Sequence, residues 1–388
     1  MQIQSIKVHV GRGVGKSNQL FSHLQREFRT MKTLSRPLSD SKIGGIISIK
    51  YLSMVCLAVF LAGCSASGSN TAAPDAQATP VLIQQELVSI AGLHAVNPYR
   101  GYEWREDALA DEAIPLNFRT SSYPFRKPAA DSQMDSRYMP SRKGLETLYV
   151  SGSAQPSLSG FGGLIQAIRK ESKGPIYVVD LRQESHGFFN GTAVSWYGER
   201  DWSNINLSHQ QVLLDEENRF AASLNQMRAV APLLADKTAG KANLVHVAEV
   251  SSEERVVKAQ GAHYFRITAT DHVWPSAENI DRFIGFYKTL PPDAWLHFHC
   301  EAGKGRTTEF MAIYDIMRNP KVSLKDVLYR QYLLGGNYVA YSGDGSSNWK
   351  NPYYRQKAEM IQLFYRYVQA NRSSRFTTPW SKWLAAPL

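Results

Sequence analysis

Residues 299–307 read His-Cys-Glu-Ala-Gly-Lys-Gly-Arg-Thr, and few backbones can carry that run. It follows Trp295-Leu-His-Phe-His299, which reads as a strand, and precedes residues 307–318, where Phe310, Met311, Ile313, Tyr314 and Met317 recur at helical spacing. A strand, a tight turn and a helix are therefore expected. Gly303 and Gly305 let the chain turn so that successive N–H groups converge into an anion nest. The helix that starts there adds the positive end of its dipole. Arg306 offers a planar fork matched to two oxygens of an oxyanion. The same field favours thiolate over thiol at Cys300 and makes it a nucleophile, and the Thr307 hydroxyl can donate to that sulfur. Five residues separate Cys300 from Arg306. Glu301, Ala302, Gly303, Lys304 and Gly305 are thus read as the wall of a cradle for one phosphoryl-sized anion.

The surrounding pattern supplies the scaffold. Strands are expected at 176–180, 242–250 and 263–269. A helix is expected at 276–290, capped by Ser276, with Ile280, Phe283, Ile284, Tyr287 and Leu290 on one face and Pro291-Pro292 as its stop. Further helices are expected at 324–334, ended by Gly335-Gly336, and at 354–370. Strands followed by helices imply an α/β sheet core. Parallel order brings the loop Thr270-Asp271-His272-Val-Trp-Pro275 to the same sheet edge as the Cys loop. Asp271 is therefore the candidate general acid for a leaving oxygen, and then the base for water.

The N-terminal part reads differently. The net charge of +10 suggests a polyanion partner until the charge is located. Residues 1–63 hold nine Lys/Arg and two acids, which leaves 35 basic and 32 acidic residues of the chain's 44 and 34. The remainder is nearly neutral, so no nucleic-acid partner is expected and anion binding must be local. Lys42 and Lys50 precede a short apolar stretch, 51–63, that ends in Leu61-Ala62-Gly63-Cys64. That end resembles the lipobox of bacterial lipoproteins, with Cys64 as the acylated residue. Residues 1–63 are thus expected to be a signal peptide, with 64–84 a lipidated Cys and flexible, small polar tether. Membrane contact is expected through that lipid anchor only, on an exported protein, at an outer membrane where the cell has two. Cys56 lies within the apolar stretch, so Cys300 is the lone thiol of the mature body.

The residues HCEAGKGRTT, preceded by TDHVWP, resemble the protein-tyrosine-phosphatase-like phytases. The resemblance runs from about residue 85 to the C-terminus through PLNFRTS (115–121), SGSAQ (151–155), PIYVVDLRQESHGFFNG (175–191), VSWYGERDW (194–202), YYRQK (353–357) and TPWSKWL (378–384). It implies a phosphatase-like α/β core over 85–388 with a smaller, partly barrel-like β domain inserted at about 183–240. It implies stepwise, metal-free and cofactor-free hydrolysis of myo-inositol hexakisphosphate. It also implies substrate contacts at Arg119, Asp215, His272, Lys304, Lys350, Tyr354 and Lys357. A polyphosphate needs cations beyond the one gripping the scissile group, and Lys350, Arg355 and Lys357 lie close together in sequence. Lys304 stands where several members of the family carry a small or apolar residue, which adds a charge at the cradle rim. Arg182 and Glu184 are read as locking the core near the site. Two alternatives stay open: a phosphatase for phosphotyrosine or phosphoinositides, and a lipoprotein that binds polyphosphates without turning them over.

Overall fold

The computed structural model describes residues 104–129, 132–232, 234 and 240–386. The expected signal peptide, Cys64 and the tether lie outside the described residues. Among these residues no helix is long and apolar enough to cross a membrane.

Two sheets carry the site. The first is ordered β10-β4-β11-β3-β2, from β2 (Arg119–Thr120), β3 (Val150–Ser153), β4 (Ile176–Asp180), β10 (His263–Arg266) and β11 (Trp295–His299). β11 pairs in parallel with β3 on one side and β4 on the other, β10 continues in parallel, and β2 closes the edge antiparallel. Every residue of β11 is buried, as a strand covered on both faces requires. Alternation then decides which face each side chain serves. Val179, Leu181, Leu296 and Phe298 join one core, while Ile176, Val178 and Trp295 join the other.

Helices fill both faces. α1 (Leu158–Glu171) and α3 (Glu253–Ala259) cover the second core. α4 (Ala277–Tyr287), α5 (Gly305–Arg318), α6 (Leu324–Leu333), α7 (Asn351–Asn371) and α8 (Trp380–Leu384) cover the first. α4 begins where Ser276 Oγ accepts the Asn279 N–H at 3.1 Å and buries Ile280, Phe283 and Ile284. α5 is buried on all sides from Arg306 to Met317, so the helix that starts at the Cys loop is the hub of the molecule rather than a surface element.

The second sheet runs β8-β7-β1-β6-β5-β9. It comprises β1 (Trp104–Ala108), β5 (His186–Phe189), β6 (Thr192–Ser195), β7 (Met227–Pro232), β8 (Asn243–His246) and β9 (Val250–Ser251), with α2 (His209–Ser223) laying Phe220 against Trp104 and Phe189. The sheet thus draws on β1 upstream of 183–240, the stretch expected to form an inserted domain, and on β8 and β9 beyond it. The strand expected over 242–250 is two strands, at opposite edges of this sheet. A flat six-stranded sheet would hold its edges about 24 Å apart. The three residues between His246 and Val250 reach at most about 14 Å, so the sheet curls to bring its edges together. Asn190 secures the crossing: its Oδ1 accepts from the Ala248 and Glu249 amides and its Nδ2 donates to the His246 carbonyl. Asn190 and Gly191 both have positive φ, +51° and +86°, and form the two-residue turn between β5 and β6.

The other expected elements stand with shifted ends. The strand expected to 269 stops at Arg266, and the helix expected at 276–290 spans 277–287. The helix expected from 354 begins at Asn351, because Pro352 at its first turn needs no hydrogen-bond acceptor.

Candidate active site

Cys300 follows the central strand directly and is buried. The loop after it is held from outside through its carbonyls. Glu301 O accepts from the Gln155 amide at 3.0 Å, Ala302 O from Asn117 Nδ2 at 2.9 Å, and Gly303 O from Arg119 Nη1 at 2.7 Å. In a planar trans peptide the N–H points opposite its C=O. The amides of Ala302, Gly303 and Lys304 therefore face the inner side, which is the nest the sequence called for. Gly303 sits at φ +70°, and a Cβ there would lie 2.2 Å from the backbone of Ser153 and Ala154. Only glycine lets the loop lie this close to the end of β3. Thr307 Oγ1 donates to Cys300 Sγ at 3.2 Å.

Arg306 is aimed by a bidentate bond. Its Nη1 and Nη2 donate to the two Glu184 carboxylate oxygens at 2.8 and 3.1 Å, and Nη1 also donates to Ala269 O. Glu184 in turn accepts from Arg182 Nε at 2.7 Å; Arg182 reaches Asp107, Asp107 pairs with Arg105, and Arg105 with Asp201. Charges alternate along this buried chain, which runs from α5 to the second sheet. Burial alone would raise the Glu184 carboxyl, yet Arg306 and Arg182 hold it well below the usual carboxylate range. At the far end burial wins over Arg105, and with Glu184, Glu301 and Asp271 nearby Asp201 rises to about 7.

Asp271 lies on the same guanidinium, with Oδ1 3.1 Å from Arg306 Nε. Against the upward push of burial, Arg306 and His272 hold its carboxyl down to about 2. The loop that carries it is braced from the connection between β6 and α2. Trp202, fully buried, donates its indole N–H to Asp271 O at 2.9 Å. His272 has φ +68°, and its ring stands edge-on to Trp349 at 5.0 Å. Burial lowers His272 to about 4, helped by Lys350, Lys357 and Arg306 against Asp271.

The structure brings most expected site residues together. Cys300, Glu301–Gly305, Arg306, Thr307, Asp271 and His272 form one centre, and buried Arg119 supports its loop. Lys350 places Nζ 5.3 Å over the Trp349 ring beside His272. Tyr354 stacks edge-on to Tyr341 at 5.1 Å, and Asp271 is among the charges that raise its phenol, after burial. Lys357 is nearly buried, with Nζ 2.5 Å from Glu309 Oε1. Asp215 Oδ2 instead accepts from Ser185 Oγ, Asn204 Nδ2 and Arg219 Nε, midway along α2. The sequence reading assigned no role to Trp202 or Asp201, although both lie in the quoted YGERDW run.

Behind Cys300 lies a second polar cluster. His299 Nε2 meets Glu253 Oε1 at 2.6 Å, and His186 Nε2 stands 3.1 Å from Asp180 and 3.3 Å from Glu253. Asp180, Glu253 and His299 are close enough to share a cation, but Tyr264 donates to Asp180 at 2.6 Å and Arg266 lies 3.2 Å from it. Asp180 is thus already engaged by a phenol and a guanidinium, while His299 Nδ1 has no hydrogen-bond partner among the described residues. Burial lowers His186, but Asp180 more than offsets it and raises the imidazole to about 9.

Comparison with known proteins places these features. The family model of protein-tyrosine-phosphatase-like phytases, described by inositol hexakisphosphate, matches residues 179–318. The structure of a PTP-like myo-inositol phosphatase from Mitsuokella multacida in complex with myo-inositol-(1,3,4,5)-tetrakisphosphate is similar at 49% identity and TM-score 0.71, over 75% of this chain and 49% of that one. A PTP-like phytase from Bdellovibrio bacteriovorus is similar at 30% identity and TM-score 0.57, over 75% of this chain and 97% of that one. Effector protein hopD2 of Pseudomonas syringae pv. tomato is 31% identical over 222 residues, 55% of this chain and 46% of its own length. The chain thus spans about half the length of hopD2 and of the Mitsuokella protein.

The His186 cluster yields a pH signature. The folded-state value lies above the 6.5 of an ordinary imidazole, so the pairing contributes in full below about 6.5 and is lost as pH rises through about 9. Thermal melting from pH 6 to 10 should show the wild-type Tm falling across that window more steeply than that of His186→Gln. Parallel curves would refute the assignment.

Proposed function

The chain belongs to the protein-tyrosine-phosphatase-like phytase family, and on that premise we propose that it removes phosphates stepwise from myo-inositol hexakisphosphate through a cysteinyl-phosphate intermediate. The observation that carries this is the convergence of Cys300, Arg306 and Asp271 on one point, with Arg306 aimed by Glu184. Cys300 Sγ forms a bond to phosphorus while the bond from phosphorus to the inositol oxygen breaks. Asp271 gives its proton to that oxygen. Water then attacks phosphorus, Asp271 takes the water's proton, and the sulfur leaves with Thr307 Oγ1 donating to it. The nest amides and Arg306 hold the equatorial oxygens as their charge grows.

Asp271 must carry a proton to act as an acid, and in the free protein its pairing with Arg306 opposes this. A bound phosphoryl group supplies the change. Its oxygens take over Arg306, so the carboxyl exchanges a cation for an anionic neighbour and its proton affinity rises. Trp202 is then a positioning residue, acting through the Asp271 backbone.

The competing reading, a phosphatase for phosphotyrosine or phosphoinositides, draws on the same grip on a single phosphate; a polyphosphate binder without turnover is the third. The purified protein should release phosphate from inositol hexakisphosphate with chelator present, and Cys300→Ser should abolish release. Hydrolysis of a phosphotyrosine peptide alone would install the competing reading, and binding without release by either form would leave the binder.

Leaving-group chemistry tests the acid separately. Asp271→Asn should cut kcat on inositol hexakisphosphate by about 10²–10⁴, and Trp202→Phe by roughly threefold to tenfold, the worth of one hydrogen bond. Both losses should shrink on p-nitrophenyl phosphate, whose leaving group departs without a proton. Equal losses on both substrates would assign Trp202 a merely structural role.

Export as a lipoprotein belongs to this proposal and rests on the Leu61–Cys64 pattern and the tether after it. Mass spectrometry of membrane-extracted protein should find acyl chains on an N-terminal Cys64; an unmodified or uncleaved N-terminus there would reject it.

A further inference from the structure

Cations gather at the rim of the cradle without carboxylates between them. Buried Arg119 is spent on the loop, with Nη1 on Gly303 O at 2.7 Å and Nη2 on Thr308 Oγ1 at 3.2 Å. Lys304, the last residue before α5, sends Nζ to Gly335 O at 2.7 Å. Arg126, exposed, lays its guanidinium against the same glycine. A Cβ at Gly335 would stand 3.1 Å from Arg126 Cζ and Nη1, and Gly335 itself has φ +117°. The Arg126 backbone N–H is tied to Leu333 O at 2.8 Å, so its side chain departs from a fixed point. Among the described residues neither Arg126 nor Lys304 forms an ion pair.

Like charges held this close oppose one another. After burial, Arg119 and Arg126 lower the Lys304 ammonium. Burial and Arg126 bring Arg119 down to about 10, although Cys300 pulls the other way. An anion placed among these groups relieves the repulsion and gains charge-assisted hydrogen bonds. The loop's other flank has the opposite character. A cavity of about 530 Å³ beside Glu301 and Ala302 carries Glu106, Asp111 and Glu112 on its wall, a lining of the sign that opposes a polyanion. Between these two flanks, the charge therefore favours the Gly335 side for a substrate's remaining phosphates.

We propose that Arg126 and Lys304, joined across Gly335, form a second anion subsite that takes a phosphate of the substrate other than the one being cleaved, with Arg126 as its specificity-determining residue. The inference rests on the polyphosphate reading above. Its ligand is a phosphomonoester on a polyphosphorylated inositol ring, whether the ring is free or is a lipid headgroup. Occupation of this subsite sets the rotation of the ring over Cys300, and hence which phosphate leaves first.

The test compares Arg126→Ala and Arg126→Glu in the full chain. Calorimetry in a Cys300→Ser background measures binding without turnover. The Kd for inositol hexakisphosphate should rise about tenfold in Arg126→Ala and further in Arg126→Glu, with partial rescue in Arg126→Lys. With Cys300 present, p-nitrophenyl phosphate turnover by Arg126→Ala should be unchanged, while the first inositol pentakisphosphate isomer from hexakisphosphate should shift. A second arm uses vesicles containing a phosphatidylinositol bisphosphate; weakening there rather than with the soluble compound keeps the subsite and assigns it to a headgroup. Equal affinity of wild type and Arg126→Ala in both arms would overturn the proposal, as would a parallel loss of p-nitrophenyl phosphate turnover. A wild type that cleaves no hexakisphosphate would defeat the functional reading alone, because the calorimetric comparison still decides the subsite.

Discussion

The bidentate bond between Arg306 and Glu184 is the interaction on which the rest of the structure depends. Both side chains are buried, and each would be costly there alone. Removing one member of a buried pair costs on the order of 3–5 kcal/mol, because the other charge is stranded. The protein does not leave this to one pair. Arg182, Asp107, Arg105 and Asp201 extend it into an alternating chain, so every member has an opposite charge in contact. The chain crosses from α5 to β1, and residues 181–185 also carry the backbone from β4 to β5. One network thus ties α5 to the second sheet and aims the Arg306 guanidinium.

The cradle follows the same logic in neutral groups. Loop carbonyls are satisfied from outside by Gln155, Asn117 and Arg119, which leaves the amides to the inside. Preorganised donors of this kind need no reorganisation when charge develops on a transferring group. The Asp271 loop is held from two sides: Trp202 reaches it from the connection between β6 and α2, and Trp349, just before α7, meets His272. The curled sheet and the connections that leave it therefore do more than decorate the core. β1 supplies Arg105, and the connection after β6 supplies Asp201, where the charge chain ends, and Trp202.

Much of this was legible in the chain, and much was not. A parallel strand buried on both faces must be apolar throughout, and a nest that wraps one phosphoryl group needs glycine and a fixed spacing to arginine, so Cys300, Arg306 and Thr307 could be read directly. Asp271 followed from parallel order. The strand expected over 242–250 failed because residues 243–246 and 250–251 answer to different partners, β7 and β5, and periodicity does not register a change of partner. Asn190-Gly191 was a hairpin signal in the sequence, and reading it would have located the β5–β6 turn.

By itself the sequence determined the strand–loop–helix that makes the cradle, because backbone freedom at Gly303 and local charge at Arg306 act over a few residues. It also determined which residue types could carry the chemistry. The tertiary structure alone decided that Glu184 faces Arg306 across 122 positions, that Trp202 reaches Asp271 across 69, and that Arg126 shares Gly335 with Lys304. Those partnerships are set by how two sheets and a buried helix fill space together. No local pattern encodes them, since each residue alone has the composition of an ordinary loop or surface.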